Sequence, residues 1–155
     1  MNLKLRSWVL VIALVSAPHK LVGGYMIPTV IYSTYESKKK TVRLSKTELQ
    51  RIFTRKITRW SNGDEITVYI KPIGSIEHRS FVAAVLGMTL YRYSKSLEVN
   101  TYTANAITVM EVRTDTAMRA AVHSNPGAIG YLNYTDPDGE STVTVCTTET
   151  ECVGS

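Results

Sequence analysis

One stretch decides the fold class: Ile66-Thr-Val-Tyr-Ile-Lys-Pro-Ile-Gly-Ser-Ile-Glu-His-Arg-Ser-Phe-Val-Ala-Ala-Val-Leu-Gly87. Its first five residues alternate between apolar and more polar side chains, which predicts a β-strand over 66–70. Ser75 then stands at a helix N-cap position, and Gly87 is a natural end for the helix. The apolar positions between them share one helical face. The stretch therefore predicts a strand, a tight turn and a helix in direct succession.

The alternation of strands and helices continues on both sides of this stretch. The segment Ser45-Lys-Thr-Glu48 is a capping box and predicts a helix from about residue 46 to residue 54. Further helices are predicted over 89–98 and from Thr114 or Asp115 to 122, and further strands over 26–33, 107–112, 128–132 and 142–146. The polar residues 36–40 predict a loop. This order indicates one layered α/β domain.

Residues 1–24 have the layout of a secretory signal peptide. Lys4 and Arg6 precede an apolar run over 8–17, and small residues follow it. The run is too short to span a membrane as a helix, which needs about 20 residues. An apolar first strand or an amphipathic anchor is the alternative interpretation. We expect cleavage after Ala17 or after Gly24, and a mature domain over residues 25–155.

The charge of the chain is modest but uneven. Of the formal net charge of +5, three positive charges lie in the first 24 residues, so +2 remains for the rest. That value does not indicate a nucleic-acid-binding protein. Nine basic residues and one acid lie between Lys38 and Arg59. This basic stretch could attract an anion, an acidic partner or a lipid surface, or it could simply be a solvated face.

Cysteine usage agrees with export. Cys146 and Cys152 are the only two cysteines, and in an oxidising compartment they are expected to form a disulfide that pins the C-terminus. A metal site is a poor alternative, because the three histidines are scattered and show no metal-ligand spacing. We expect no metal and no cofactor.

The turn between the strand and the helix at residues 71–79 is the candidate site. The first amides of a helix have no partner within it, and they favour phosphate, sulfate or carboxylate. Lys71 and Arg79 flank the turn with positive charge, and Ser75 can donate or accept a hydrogen bond. The alternatives are that Ser75 is only a cap, that Glu77 occupies the anion position, or that Arg79 pairs with a surface acid.

No residue set predicts catalysis. The sequence contains no G-x-S-x-G, H-E-x-x-H or P-loop motif. Glu77 and His78 are adjacent, so on a helix their side chains diverge by about 100° and do not form a dyad. A small hydrolase is therefore the least supported hypothesis, and we expect a protein that is not an enzyme.

Three segments together resemble one known family. Residues 44–60 resemble the "L-(S/T)-x-x-x-L-x-x-I-F-x-G-K-(I)-x-x-W" segment of the phosphate-binding-protein-like periplasmic solute-binding family. Ser75, Arg79 and the following apolar positions come at the spacing of that family. Residues 125–131, Asn-Pro-Gly-Ala-Ile-Gly-Tyr, resemble its "N-P-G-A-I-G-Y" segment. The resemblance extends over most of residues 28–134.

The resemblance implies a fold and a ligand. Members of the family consist of two α/β lobes that close on a ligand like a clam-shell. This chain has room for one such periplasmic-binding-protein-like lobe, which is a mixed sheet flanked by helices. The family signature Arg-x-x-x-Ser-Gly-Thr falls on Lys71, Ser75, Ile76 and Glu77, so the implied ligand-binding residues are these four and Arg79. Ile76 and Glu77 depart from the signature, because they add bulk and negative charge where glycine and threonine stand. Arg55 replaces the glycine of the "F-x-G-K" turn.

Two functions follow as hypotheses. The first is a periplasmic solute-binding protein that binds phosphate or another small oxyanion and works with the membrane subunits of an ABC transporter. A single lobe would need a homodimer or an envelope protein partner to enclose its ligand. The second is an exported protein-interaction module that kept the fold and lost the ligand, with the basic stretch as its docking face. Neither hypothesis involves nucleic acid.

Overall fold

The computed structural model describes residues 21–22, 25–26, 28–33, 42–103, 109–133 and 143–146. The helices are α1 (Lys46–Phe53), α2 (Ile76–Ala84), α3 (Leu90–Thr103) and α4 (Asp115–Ser124). The strands are β1 (Leu21–Val22), β2 (Tyr25–Met26), β3 (Thr29–Tyr32), β4 (Val42–Ser45), β5 (Thr67–Ile70), β6 (Val109–Glu111), β7 (Ala128–Leu132) and β8 (Val143–Cys146).

A mixed four-stranded sheet forms the centre of the fold, in the order β3-β7-β5-β6. β7 pairs in parallel with β5, and β5 pairs in parallel with β6, so these three strands point the same way. β3 is antiparallel to β7, with Thr29 opposite Leu132. Two short ribbons stand apart from this sheet: an antiparallel pair of β1 and β2, and a parallel pair of β4 and β8.

Both faces of the central sheet are buried. Alternate side chains of each strand enter different apolar clusters, as the two-residue period of a strand requires. The larger cluster contains Val68, Ile129 and Tyr131 and packs against residues of α1, α2 and α3. The smaller cluster contains Tyr69 and Ala128 and packs against α4 through Met118 and Val122. The domain is therefore a three-layer α/β structure, which confirms the predicted fold class.

Each of three helices begins at a hydroxyl side chain. Ser45 and Glu48 form the predicted capping box at α1, with the amide of Ser45 2.8 Å from the Glu48 carboxylate. Ser75 caps α2, where its Oγ accepts a hydrogen bond from the amide of His78 at 3.1 Å. Thr114 caps α4 in the same way through the amide of Ala117. Side-chain caps of this kind fix where a helix starts.

Two glycines, one just before β7 and one within it, stand where a side chain would not fit. Gly127 has a φ of 87°, and a Cβ there would collide with the carbonyl oxygen of Glu65. A Cβ at Gly130 would lie 2.6 Å from the sulfur of Met118. The first position needs a left-handed backbone, and the second lets α4 pack closely on the sheet.

Several boundaries differ from the predictions. The predicted strand over 26–33 is divided into β2 and β3, α3 continues to Thr103, and β6 starts at Val109. The strand β4 was not predicted. The predicted loop 36–40, residues 1–20 and 23–24 of the signal peptide predicted over 1–24, and the side chains of the predicted disulfide lie outside the described residues. Within the described part of the chain, no helix is both long and apolar enough to cross a membrane.

Candidate anion-binding site

The candidate site lies at the carboxyl edge of the central sheet. Since β5, β6 and β7 are parallel, the turns that follow them meet at one edge. α2 starts after β5, and α4 starts after β6, so both helices begin at this edge. Ligands of open α/β sheets bind outside the carboxyl ends of the strands. The topology therefore brings the predicted turn to the edge where a ligand is expected.

The turn itself is open to solvent. Gly74 and Ile76 are exposed, and Ile76 has a relative exposure of 65%. Ser75 Oγ accepts from the amide of His78, and the amide of Arg79 donates to the carbonyl of Ser75. The amides of Ile76 and Glu77 are the ones that α2 leaves without an intrahelical acceptor. Two amides at the positive end of the helix can therefore reach an incoming anion.

Two charged residues of α2 accompany these amides. Arg79 is exposed and takes part in none of the ion pairs among the described residues. Glu77 is half-buried, and its charge contributes to the raised pKa of Tyr131, although burial of the phenol is the main cause. One positive and one negative side chain thus flank the turn, and their effects on an anion oppose each other.

Lys71 has a partner inside the protein. Its ammonium group lies 2.6 Å from the carboxylate of Asp115, and the two side chains are 3% and 12% exposed. The same carboxylate accepts a hydrogen bond from the amide of Asn133 at 3.0 Å. The carbonyl of Arg113 lies 3.4 Å from the Lys71 ammonium. Lys71 therefore ties the turns after β5, β6 and β7 together, and its charge is largely compensated by Asp115.

Tyr131, in β7, holds the turn between β5 and α2 in place through its hydroxyl group. Its hydroxyl accepts a hydrogen bond from the amide of Lys71 at 2.8 Å and lies 2.8 Å from Nδ1 of His78. Its ring stacks on Phe81 with a centroid separation of 3.8 Å. A buried residue of β7 thus fixes both the first residue of the turn and the first turn of α2. The sequence signal for Tyr131 was its place in the Asn-Pro-Gly-Ala-Ile-Gly-Tyr segment.

His78 is buried and neutral. Burial lowers its pKa from 6.5 to about 4, because the interior disfavours the imidazolium. The Tyr131 hydroxyl lies 2.8 Å from His78 Nδ1, and the tautomer of the neutral ring decides which of the two groups donates. The ring of Tyr93 packs against it edge to face, with centroids 5.0 Å apart. His78 therefore serves as a buried support for the turn and does not face solvent.

Only some of the basic residues predicted between Lys38 and Arg59 are exposed on the surface. Lys46, Arg51 and Lys56 are exposed, whereas Arg55 is 4% exposed. Arg59 forms an exposed ion pair with Glu65 at 2.8 Å. Lys38, Lys39 and Lys40 lie outside the described residues. Among the described residues, no three side chains of the metal-binding types come together as a possible metal site.

Comparison with solved structures identifies the same fold in transport receptors. A phosphate ABC transporter substrate-binding protein from Clostridium perfringens, solved with bound phosphate, aligns with a TM-score of 0.55 and 22% identity, covering 77% of this chain and 44% of that one. PstS from Borrelia burgdorferi aligns at 0.57 and 15%, covering 79% and 48%. An ABC-type phosphate transport receptor from Vibrio cholerae aligns at 0.55 and 18%, covering 76% and 45%.

No family model matches this sequence, and no curated protein sequence matches it. This chain spans less than half the length of each of the three solved proteins. The chain therefore has the fold seen in part of phosphate ABC transporter substrate-binding proteins, and it aligns with less than half of the length of each solved protein.

Proposed function

We propose that this chain is an extracytoplasmic solute-binding protein that binds phosphate or another small oxyanion at the turn between β5 and α2. The binding groups are the amides of Ile76 and Glu77, the hydroxyl of Ser75 and the guanidinium of Arg79. Lys71 contributes at longer range, because its charge is shared with Asp115. The observation that carries the proposal is an open helix N-terminus at the carboxyl edge of the sheet, in a fold that one solved relative uses with bound phosphate.

A single lobe leaves one side of the anion in water. Two amides and one exposed arginine provide directed hydrogen bonds but no enclosure, so we expect weak binding by the chain alone. A homodimer, or the membrane subunits of an ABC transporter, would cover the side of the anion that this lobe leaves exposed to water. On this proposal, residues 1–24 act as a signal peptide, residues 25–155 form the periplasmic domain, and Cys146 and Cys152 form a disulfide.

Amide NMR gives the direct test of the site. Addition of sodium phosphate or sodium sulfate at constant ionic strength is expected to shift the amide signals of Ile76 and Glu77 most. The double variant Ile76→Gly/Glu77→Thr removes bulk and a negative charge from the turn, and it is expected to bind at least tenfold more tightly. Glu98→Thr, an exposed change on α3 with the same loss of charge, is the matched control. Shifts that are equal across the surface, and unchanged in the double variant, would contradict the proposal.

The second candidate function is an exported protein-interaction module. Two observations favour it: the Lys71 charge is compensated by Asp115, and the apolar side chain of Ile76 points into solvent. Neither is an advantage for binding a small anion. Capture of a partner from envelope extract, lost when Lys38, Lys39 and Lys40 are changed to glutamate, would support this function. Capture that is indifferent to those lysines would count against it.

Export and the disulfide have a common test. Intact mass of the protein purified from its own host is expected to show cleavage after Ala17 or Gly24. The same spectrum is expected to lack two hydrogens relative to the reduced chain. An uncleaved chain, or one with both thiols free, would contradict the proposed compartment.

A further inference from the structure

Arg55 has an unfavourable backbone for an arginine. Its φ is 69°, and it is the only non-glycine residue with positive φ among the described residues. It ends α1, where its amide donates to the carbonyl of Ile52 at 3.0 Å. Left-handed conformations are adopted readily by glycine and at a cost by side chains with a Cβ. A glycine would end this helix without strain, so we ask which interaction of the arginine side chain could offset the strain at this position.

The Arg55 side chain is buried without a hydrogen-bond acceptor. The residue is 4% exposed, and no described residue accepts a hydrogen bond from Nη1 or Nη2. The carbonyls at the end of α1 accept other donors: Gln50 and Arg51 accept backbone amides, and Thr54 accepts the side-chain amide of Asn100 at 2.6 Å. A buried cation without a partner is strongly disfavoured.

A second buried donor interacts electrostatically with Arg55. The hydroxyl of Tyr93 is fully buried and also lacks a hydrogen-bond partner. The charge of Arg55 lowers the pKa of Tyr93, while burial has the larger and opposite effect, so the two groups are within electrostatic reach. Nε2 of His78, whose ring packs on Tyr93, is likewise buried and unpartnered. Two unpartnered donors, the Arg55 guanidinium and the Tyr93 hydroxyl, are therefore buried in this part of the domain.

The elements that carry these donors are held together. Asn100 of α3 is hydrogen-bonded to Thr54 at the end of α1, which fixes α3 over Arg55. Tyr93 lies two turns before Asn100 on the same helix. The arrangement is a buried set of donors with one positive charge, carried by elements that a hydrogen bond joins. Such a set suits a small anion, and the forked guanidinium is the side chain best shaped to hold one.

We propose that Arg55 and Tyr93 form an internal binding site for a small monovalent inorganic anion, enclosed between α1 and α3. The site is separate from the turn at Ser75 and does not depend on the function proposed for that turn. The anion compensates the guanidinium and occupies the donors of both side chains. Since only the folded chain forms the site, anion binding stabilises the fold.

Thermal unfolding in sodium bromide and in sodium gluconate at equal ionic strength tests this site. Gluconate is too large to enter the enclosure, so bromide is expected to raise the melting temperature relative to gluconate. With a Kd of about 10 mM, roughly 200 mM bromide would increase the folding equilibrium constant about twentyfold, which corresponds to a shift of several degrees.

Three variants separate the site from general salt effects. Arg55→Gly suits the left-handed backbone, so it is expected to fold, to be more stable than the parent in gluconate and to lose the specific bromide response. Tyr93→Phe is expected to weaken the response. Lys56→Ala removes an exposed positive charge next along the chain and is expected to leave the response intact. An equal bromide response in the parent and in Arg55→Gly would overturn the proposal.

Crystals grown in sodium bromide give an independent readout. An anomalous peak is expected within hydrogen-bond distance of Arg55 Nη1 or Nη2 in the parent protein. No such peak is expected in Arg55→Gly. A parent crystal with bromide bound elsewhere, and only water or protein atoms beside the guanidinium, would also overturn the proposal.

Discussion

The hydroxyl of Tyr131 lies 2.8 Å from the amide nitrogen of Lys71, although one residue is in β7 and the other begins the turn after β5. The same hydroxyl meets His78 in the first turn of α2. A residue in the middle of the sheet thus sets the position of the candidate site. The ring stacking of Tyr131 on Phe81 fixes the direction of this hydroxyl.

Removal of that hydroxyl should destabilise the domain. Tyr131→Phe keeps the stacked ring but leaves the Lys71 amide and His78 Nδ1 without their partner in the interior. A loss of about 1–3 kcal/mol in the free energy of unfolding is expected, the usual cost of an unsatisfied buried polar group. Urea unfolding measures it. Tyr91→Phe, at a position that is 72% exposed, is the matched control and should change stability by less than about 0.5 kcal/mol.

His78 should make the domain sensitive to acid. Its pKa is lowered from 6.5 to about 4 in the folded protein, so the unfolded chain binds the proton more readily. The contribution to stability is complete above pH 6.5 and is lost as the pH falls from 6.5 to about 4. The loss amounts to about 3 kcal/mol.

Chemical unfolding across this pH range, compared between parent and variants, isolates the contribution of His78. His78→Asn should be less stable at neutral pH but should lose less stability on acidification. His123→Gln, an exposed change on α4, should follow the parent. Parallel pH profiles for the parent and His78→Asn would show that another group controls the acid response.

The buried pair of Lys71 and Asp115 should show strong coupling. Lys71→Met leaves the Asp115 carboxylate buried without its cation, and Asp115→Asn does the same to the ammonium. Each single change is expected to cost about 3–5 kcal/mol, and the double variant less than the sum of the two. A double-mutant cycle from urea unfolding gives the coupling energy. Additive effects would mean that the 2.6 Å approach contributes no net interaction.

Close packing of α4 on the sheet should make Gly130 intolerant of a side chain. Gly130→Ala places a methyl group 2.6 Å from the Met118 sulfur and 3.1 Å from a Val122 methyl. A loss of about 1–3 kcal/mol is expected from overpacking. Gly74→Ala is the control, because a Cβ there meets nothing within 4 Å. Equal stability of the two variants, measured by thermal unfolding, would contradict this account of the packing.

Local signals in the sequence predicted most of the helices and strands. The capping box at Ser45 placed α1, and the alternation before Lys71 placed β5, because both signals depend on residues a few positions apart. β4 escaped prediction although Val42 and Leu44 alternate with Arg43, because it is only four residues long and its last residue, Ser45, is also the N-cap of α1. Its partner is β8, far along the chain, and such a pairing leaves no local pattern.

The site was predictable in position but not in charge. Ser75 was predicted to be an N-cap and is one. Lys71 was expected to offer its charge to a ligand, whereas the structure pairs it with Asp115, a residue whose only sequence signal was that of a helix start. Arg55 was predicted to replace a glycine, and its positive φ agrees with that substitution. Its burial and missing acceptor depend on α3 and could not be read from neighbouring residues.

The strand order has a consequence for when the chain can fold. β7 occupies an interior position of the sheet, yet it is made after all four helices, and it pairs with β3, which precedes all of them. Until β7 emerges from the ribosome, the strand that lies between β3 and β5 in the sheet is missing. Pairings between such distant segments form slowly, because a long loop must close first. A nascent chain of this topology cannot complete its central sheet before β7 is made, and an incompletely folded polypeptide can be threaded through a translocation channel.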